Sequence, residues 1–535
     1  MTTPITHRDS LSSKHNIWIY CILIASSLLS ALFMVHNIKI SPDSMRFGLI
    51  SEEILSGNGI RVPIIRLLDT FVPVNGAIPF LDNMPLLPIL FALLGGVTQQ
   101  NFLPAQIVNL ICHVAISLFA FLIMRLLFDN KGVALLTGII ISVSYPMLWL
   151  THHMISDPLL IALTIAAVFF LMQSRNPNCL RSNRYIIAAG IFGGAAILAR
   201  NAGIALIPVF AWEAVVLIRN KRLKFRNISA ILALALPLIF STGMFIRNYI
   251  ISGSLRGFNQ SSPERSYLDA FIGTVGMIFE QFQLGRNSII LITLLLTVSV
   301  LYILFKGRLR ERIMKSASAG LDVIIVYMLS YTALICLTMA KVQWRYELRY
   351  VAPLAPFLII VTVFIVFILW ERTGSQRLSG LSLAGMVLSL FILTFGIFYK
   401  TYMNSAEFTY KQNKQYAIQQ TCTFTWLKEQ YGEDIIITTN ESFHLSFFGG
   451  YSTVWIPHKM FNPTNYIPED METVLPRQMR KIGSPVLALF DAVKEEYDGK
   501  YLAELFNNRE SNSSFDKIYE CADGVVYGLK VPITH

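Results

Sequence analysis

Long apolar segments separated by short polar ones dominate the first 400 residues. The first runs from Ile17 to Val35, about 19 residues, the length of a membrane-crossing helix. Similar segments fall at 102–124, 132–150, 158–173, 185–199, 203–218, 228–246, 288–305, 320–340, 350–369 and 378–399. The pattern therefore predicts about eleven spans. Arg200, Asn201 and Gly203 interrupt an otherwise nearly continuous stretch between the fifth and sixth. Residues 1–16 are polar, with Arg8 and Lys14, and no small-residue cleavage site follows the first apolar run, which reads as an uncleaved span.

Two regions break this rhythm. Residues 38–101 form a long first loop. It opens with Ser41-Pro42-Asp43-Ser44 and continues as a short amphipathic helix, with apolar residues at 45, 47, 49, 50, 54 and 55, ending at Gly57. Within the same loop, Met84 to Val97 is apolar but only about 14 residues long, with Pro85 and Pro88 near its start. That suits an interfacial or re-entrant helix. Beyond residue 400 the chain turns polar and mixed. Strand-like runs at 434–440 and 485–490 alternate with helix-like runs at 422–431 and 492–507, so a small α/β domain is expected over 401–535, after an all-α membrane domain over 1–400.

Composition agrees. Hydrophobic residues make up 54% and charged residues 14%, with a mean hydropathy of +0.54. A soluble domain carries about 25% charged residues, so this is an integral membrane protein. The net charge of +11 does not imply nucleic acid, because the basic residues sit in short loops between spans. One alternating set of loops holds 19 Lys and Arg in 59 residues, and the other holds 12 in 124. The denser set is cytoplasmic by the positive-inside rule, which puts the first loop and residues 400–535 outside. Of six cysteines, Cys21, Cys112 and Cys336 lie in apolar runs and Cys179 is alone in a loop. Cys422 and Cys521 share the C-terminal region, where an oxidising compartment would let them pair. The absence of CxxC, HExxH and GxxxxGK[ST] leaves zinc, protease and P-loop functions without support.

On the outer side, ionisable residues gather where spans end. Asp43 follows the first span; His152, His153 and Asp157 lie between the third and fourth; Arg200 lies between the fifth and sixth. Arg247 closes the seventh, and Arg345, Glu347, Arg349 and Tyr350 precede the tenth. Structural roles compete at each place. Asp43 sits in the first turn of a well-capped helix, and Asp157-Pro158 is an ordinary helix start. His152 and His153 are adjacent, point different ways on a helix and read more readily as interfacial polar residues than as metal ligands. Arg247 and Arg349 can snorkel to headgroups. Together, however, the set has one chemical sense. A carboxylate can take a proton from a hydroxyl, and arginines can hold a phosphate as it leaves. Glu52 and Glu53 are further acidic candidates in the first loop, as are Asp69 and Asp82.

At these residues the chain resembles the polytopic glycosyltransferases of the C-type (GT-C) superfamily, nearest to bacterial relatives of protein O-mannosyltransferases and of the lipid A aminoarabinose transferase. The matching stretches are Ser41-Pro42-Asp43-Ser44, Ile54-Leu55-Ser56-Gly57-Asn58-Gly59, Met84-Pro85-Leu86-Leu87-Pro88, Ser156-Asp157-Pro158, Gly193 to Arg200, Arg247-Asn248-Tyr249 with Ser252-Gly253-Ser254, and Arg349 to Pro356. They follow the superfamily's order over about the first 360 residues. The resemblance implies a GT-C membrane fold in a bacterial plasma membrane. It also implies inverting transfer from a polyprenyl-phosphate-linked sugar to an acceptor hydroxyl on the extracytoplasmic face. Asp43 would be the base, Asp157 the second acidic residue, and Arg247 and Arg349 the donor-phosphate ligands, with Tyr350, Arg200 and Arg345 beside them. Protein O-mannosyltransferases carry an Asp-Glu pair where this chain has Asp43-Ser44, which departs from a protein acceptor. The resemblance leaves the sugar and the acceptor (glycan, lipid or protein) open, names no cofactor, and leaves a divalent metal compatible but unassigned.

A transporter or lipid-carrier flippase is the rival class. Such proteins often show inverted repeats and polar residues at the bilayer midplane. This chain shows no repeat, and its polar candidates cluster toward one face. An assembly protein that uses the outer domain to hold a partner is a third reading. The loop charges make a direct prediction. A reporter fused after residue 400 will be active outside the cytoplasm, and reporters within 219–226 or 306–315 will be cytoplasmic. An inverted result would change the parity of the spans and move the candidate carboxylates to the other face.

Overall fold

Helices occupy nine of the eleven expected spans. The computed structural model describes residues 14–35, 38–66, 78–80, 84–128, 130–175, 182–220, 228–253, 255, 265–281, 319–341, 347–370, 415–456, 471–490 and 514–530. The expected spans at 288–305 and 378–399, and the expected helix at 492–507, lie outside these residues. The helices are α1 (Lys14–Val35), α2 (Pro42–Leu55), α3 (Leu86–Leu93), α4 (Leu103–Leu127), α5 (Lys131–Val143), α6 (Tyr145–His152), α7 (Asp157–Ser174), α8 (Ser182–Ala199), α9 (Leu206–Arg219), α10 (Ile228–Ser252), α11 (Tyr267–Glu280), α12 (Leu321–Lys341) and α13 (Ala355–Trp370). By length and composition alone, five described helical segments can cross a membrane, or six if α5 and α6 form one bent span. The bend, 47°, falls at Ser144, just ahead of Pro146. A proline suits the first turn of a new helix because that turn has no N–H bond to lose. The break between the fifth and sixth spans is a short 3-10 turn, Asn201–Ala205, that follows Arg200.

The first loop holds α2 as expected, but the helix is no surface element. Ser41 and Ser44 form a reciprocal cap: Ser44 N–H donates to Ser41 Oγ at 3.2 Å, and Ser41 N–H donates to Ser44 Oγ at 2.9 Å. Pro42 occupies the first helical position, and Gly57 takes a left-handed φ of 79° just past the end. Every residue from Ser44 to Ser51 is buried. The apolar stretch after it forms only the short helix α3, in keeping with an element that does not span.

The C-terminal region forms the α/β unit, with helices α14 (Cys422–Gln430), α15 (Ser442–Gly449) and α16 (Met471–Ile482). Its strands are β4 (Ile436–Thr439), β5 (Ser452–Trp455), β6 (Val486–Phe490), β7 (Phe515–Cys521) and β8 (Gly524–Leu529). The first loop supplies β1 (Arg61–Val62), β2 (Ile64–Arg66) and β3 (Ile78–Pro79). The large sheet runs β2-β5-β4-β6-β8-β7, so its edge strand comes from the first loop. Ile64 pairs with Thr453 and Ile65 with Val454, in parallel. β6, Val486 to Phe490, lies between β4, its parallel neighbour, and β8, its antiparallel one, and is buried at every position, as a central strand covered on both faces should be. A disulfide joins Cys422, at the start of α14, to Cys521, at the end of β7.

Helix α15 packs on α2 at Gly48. A Cβ on Gly48 would sit 2.7 Å from Phe447 Cε2 and 3.0 Å from the Val97 carbonyl oxygen. The ring can yield, but the backbone carbonyl cannot yield cheaply. Gly48→Ala should therefore destabilise the chain by about 1–3 kcal/mol, the usual cost of overpacking. Thermal unfolding of the purified protein in detergent will show a lowered midpoint, and adding Phe447→Leu will recover part of the loss. An unchanged midpoint in Gly48→Ala would mean that the two helices do not press on each other there.

Candidate active site

The first span ends close to where α6 ends, and the backbone ties the two places together. Lys39 N–H donates to the His152 carbonyl at 2.6 Å, and Met154 N–H donates to the Lys39 carbonyl at 3.1 Å. This one-residue parallel bridge lies four residues before Asp43 and four before Asp157. Asn109, buried on α4, holds the second strand of the bridge through Nδ2, which donates to the carbonyls of Thr151 (3.0 Å) and His153 (2.8 Å). The starts of α2 and α7 are thereby brought side by side, each with an aspartate in its first turn.

Two arginines and a tyrosine connect those aspartates. Arg349 Nη1 donates to Asp43 Oδ2 at 3.0 Å, Nη2 donates to the Tyr350 hydroxyl at 3.1 Å, and Nε lies 2.6 Å from Glu347 Oε2. Arg200, at the break before α9, pairs with Asp157. The Tyr350 ring lies between the guanidiniums, 5.0 Å from Arg349 and 5.8 Å from Arg200. Tyr331 on α12 donates to the Tyr350 carbonyl at 3.0 Å and fixes that turn. The order is thus Asp43, Arg349, Tyr350, Arg200, Asp157. Asp157 is 1% exposed, and its Oδ1 is buried with no hydrogen-bond partner among the described residues. A buried, unsatisfied carboxylate oxygen is costly, which makes it a candidate for receiving a substrate hydroxyl.

Electrostatics favour an ionised Asp43. Burial pushes its carboxyl up, but Arg349, then Arg46 and Arg200, outweigh that and hold it below the ordinary carboxylate range. Arg46 was not singled out from sequence. It lies three residues after Asp43, hence on the same side of α2, and is buried with its guanidinium 5.2 Å from the Phe443 ring of α15 and 6.0 Å from that of Phe80. Its spacing from Asp43 was the available signal.

The other candidates divide. Arg247 stands apart from the chain of pairs. Its Nη2 donates to the Phe80 carbonyl at 2.9 Å and its Nη1 to Asn248 Oδ1 at 3.4 Å, and no carboxylate pairs with it among the described residues. Arg345, Asp69 and Asp82 lie outside the described residues. His153 is buried beside the bridge. Its ring lies against that of Trp149, tilted by 34° with centroids 4.0 Å apart, and Nδ1 donates to the Trp149 carbonyl at 2.6 Å. Burial, with Lys39 and His152 nearby, keeps it well below the usual histidine value, so the ring is neutral. Glu52 and Glu53 do not join Asp43 and Asp157. Two to three turns further along α2, they face a cleft against the C-terminal sheet.

Comparison with known proteins agrees with this architecture. Residues 82–245 match the family described as dolichyl-phosphate-mannose-protein mannosyltransferase. Among solved structures, the chain is similar to ArnT from Cupriavidus metallidurans in the apo state (TM-score 0.58, 12% identity, 96% of this chain and 98% of that one). The same enzyme bound to undecaprenyl phosphate gives a TM-score of 0.55 at 12% identity, with the same coverage. AglB from Archaeoglobus fulgidus, solved as an oligosaccharyltransferase with an inhibitory peptide and a dolichol-phosphate, gives 0.55 at 11% identity over 89% of this chain and 69% of that one. No curated protein sequence matches the chain. At these identities the likeness establishes the fold: this is a membrane protein with the GT-C glycosyltransferase architecture.

Glu52 offers a test of the local electrostatics. Burial, then the charge of Glu53, pushes its carboxyl up to about 7. The folded value lies above the unfolded one, so protonation favours the folded state. The stability contributed by Glu52 is greatest below the unfolded carboxylate value, falls as pH rises toward about 7, and levels off above it. Glu52→Gln removes that fall. Its melting temperature will match the wild type at pH 4 and exceed it at pH 8. Parallel curves for the two proteins across that range would mean that Glu52 titrates normally.

Proposed function

We propose that this chain is an inverting glycosyltransferase that moves a hexosyl or pentosyl unit from a polyprenyl-phosphate donor to an acceptor hydroxyl on the extracytoplasmic face of the membrane. The observation that carries the reading is the joining of Asp43 and Asp157 through Arg349, Tyr350 and Arg200, with Arg247 held by the Phe80 carbonyl and paired with no carboxylate among the described residues. Undecaprenyl phosphate bound to one structural neighbour and dolichol-phosphate bound to another support a lipid-linked donor. The loop charges and the disulfide support the extracytoplasmic face.

In this reading the acceptor hydroxyl gives its proton to Asp43 as its oxygen attacks the anomeric carbon from the side opposite the phosphate. The bond from that carbon to the phosphate oxygen breaks, and the lipid phosphate leaves with the electron pair. Asp157 Oδ1, buried and without a hydrogen-bond partner among the described residues, accepts a hydrogen bond from the acceptor and aims it. Arg247 meets the donor phosphate, and Arg349 is shared between that phosphate and Asp43. Arg349 also keeps Asp43 deprotonated before substrate arrives.

The test is turnover in nanodiscs, with no gradient, using a panel of undecaprenyl-phosphate-linked sugars and reading release of undecaprenyl phosphate. Asp43→Asn keeps the size of the side chain but cannot take a proton, so turnover will fall by about 10²–10⁴ with expression and donor binding retained. Asp157→Asn will lose less, and Arg247→Ala will raise the donor KM. Near-normal turnover in Asp43→Asn would remove it as the base. Movement of labelled lipid between leaflets with no bond cleavage would establish the transporter class instead.

A further inference from the structure

A cleft of about 900 Å³ lies where α2 meets the C-terminal sheet, outside the Asp43–Asp157 chain. That volume falls in the range of small-molecule sites, about 300–1,000 Å³. One wall is α2, through Leu49, Glu52 and Glu53, spaced to share a helix face. The other is the C-terminal unit, through Lys428, Glu433, Asp434 and the turn at Gly449-Gly450. Gln99 and Gln100 also line it, and Gln99 is tied to the C-terminal region by a 2.9 Å hydrogen bond from Gln419. Nothing in the transfer chemistry above uses these groups.

Resting on the transferase reading, we propose that this cleft binds the acceptor and that the acceptor is a glycan. Carboxylates and carboxamides present two polar atoms in a plane, a spacing suited to neighbouring sugar hydroxyls, and here they come from both walls. Lys428 and the glutamine amides add donors for hydroxyl and ring oxygens. An acyl chain would find Leu49, Ile436, Phe447 and Phe448 but would have to desolvate four carboxylates and a lysine beside them. A phosphate-rich headgroup would meet four carboxylates against one lysine. At Gly450, whose φ is 77°, the missing side chain leaves room for the Glu433 carboxylate, whose oxygens would stand 3.3 and 3.4 Å from a Cβ there. Glu52, near half-protonated at neutral pH, can donate as well as accept. Nine residues of helix separate Asp43 from Glu52, about 14 Å at 1.5 Å per residue. The ligand must therefore be extended, with its reacting hydroxyl at Asp43 and several sugar units beyond it in the cleft. The same helix carries both ends of that span, so cleft occupancy and the base are held in one rigid frame.

The probe is the full chain in nanodiscs on an array of neutral and amino-sugar oligosaccharides, phosphoglycolipids and lysine-rich peptides. The variant is Glu433→Gln combined with Lys428→Ala, both on the wall remote from Asp43. Wild type will be retained on oligosaccharides, and the variant will bind them at least tenfold more weakly. Bare undecaprenyl phosphate binding, slow hydrolysis of the donor without acceptor, and the melting temperature will be unchanged. Retention only on peptides or only on phosphoglycolipids overturns the proposal, as does a silent array or oligosaccharide binding that the variant does not weaken. Failure of the transferase reading is a separate result: no donor on the panel would release undecaprenyl phosphate in the wild type.

Discussion

The backbone bridge at Lys39 organises the site. Two hydrogen bonds hold the exit of the first span against the turn after α6, and a buried asparagine on α4 locks that turn. Buried backbone groups must be paired, so this contact is strongly specified wherever water is excluded. Its consequence is geometric. Each chain segment has four residues in which to start a helix, and each does so with an aspartate in its first turn. Without the bridge, Asp43 and Asp157, 114 positions apart in the chain, would have no reason to share a neighbourhood.

Two carboxylates placed together at the edge of a membrane would repel each other and resist ionisation. Interleaved arginines answer this. Arg349 and Arg200 alternate with Asp43 and Asp157, and the Tyr350 face between them offers a soft negative surface to both guanidiniums. The two aspartates are then unequal. Asp43 is partly exposed and kept ionised by its arginines, whereas Asp157 is fully buried and leaves one oxygen without a partner among the described residues. Different environments for two similar groups are what a division of labour between base and positioning residue requires.

The second constraint comes from the C-terminal unit. Its sheet takes an edge strand from the first loop, and α15 seats a phenylalanine on Gly48 of the helix that carries Asp43. Arg46, between Phe80 and Phe443, reaches both the Asp43 field and the α15 surface. The disulfide between Cys422 and Cys521 closes the unit that makes these contacts. The helix bearing the candidate base is therefore gripped from the membrane side by the bridge and from the opposite side by this unit.

Apolar run length by itself determined the membrane class and marked nine segments that are helical, five or six of them long and apolar enough to cross, because a helix that crosses lipid needs a run of about 20 apolar residues. Local capping chemistry did the same for α2: Ser41, Pro42 and Gly57 act on their own neighbours and need no distant partner. β4, β6 and α14 were legible for similar reasons, being β-rich or amphipathic runs of adequate length. The prominence of Asp43, Asp157, Arg200 and Arg349 followed from ionisable residues standing at span ends. Which arginine meets which carboxylate was decided only by the tertiary structure, as was the separation of Arg247 from those pairs. So was the placing of Glu52 and Glu53 on a different surface from Asp43, since ten residues of helix carry a side chain well away from where it began. β2 was invisible in the same way. Ile64-Ile65-Arg66 is too short to announce a strand, and it becomes one because the β5 edge, far along the chain, supplies its hydrogen-bond partners. Local signals report what a segment can do with its own neighbours, and pairings across hundreds of residues exist only once the fold has brought the partners together.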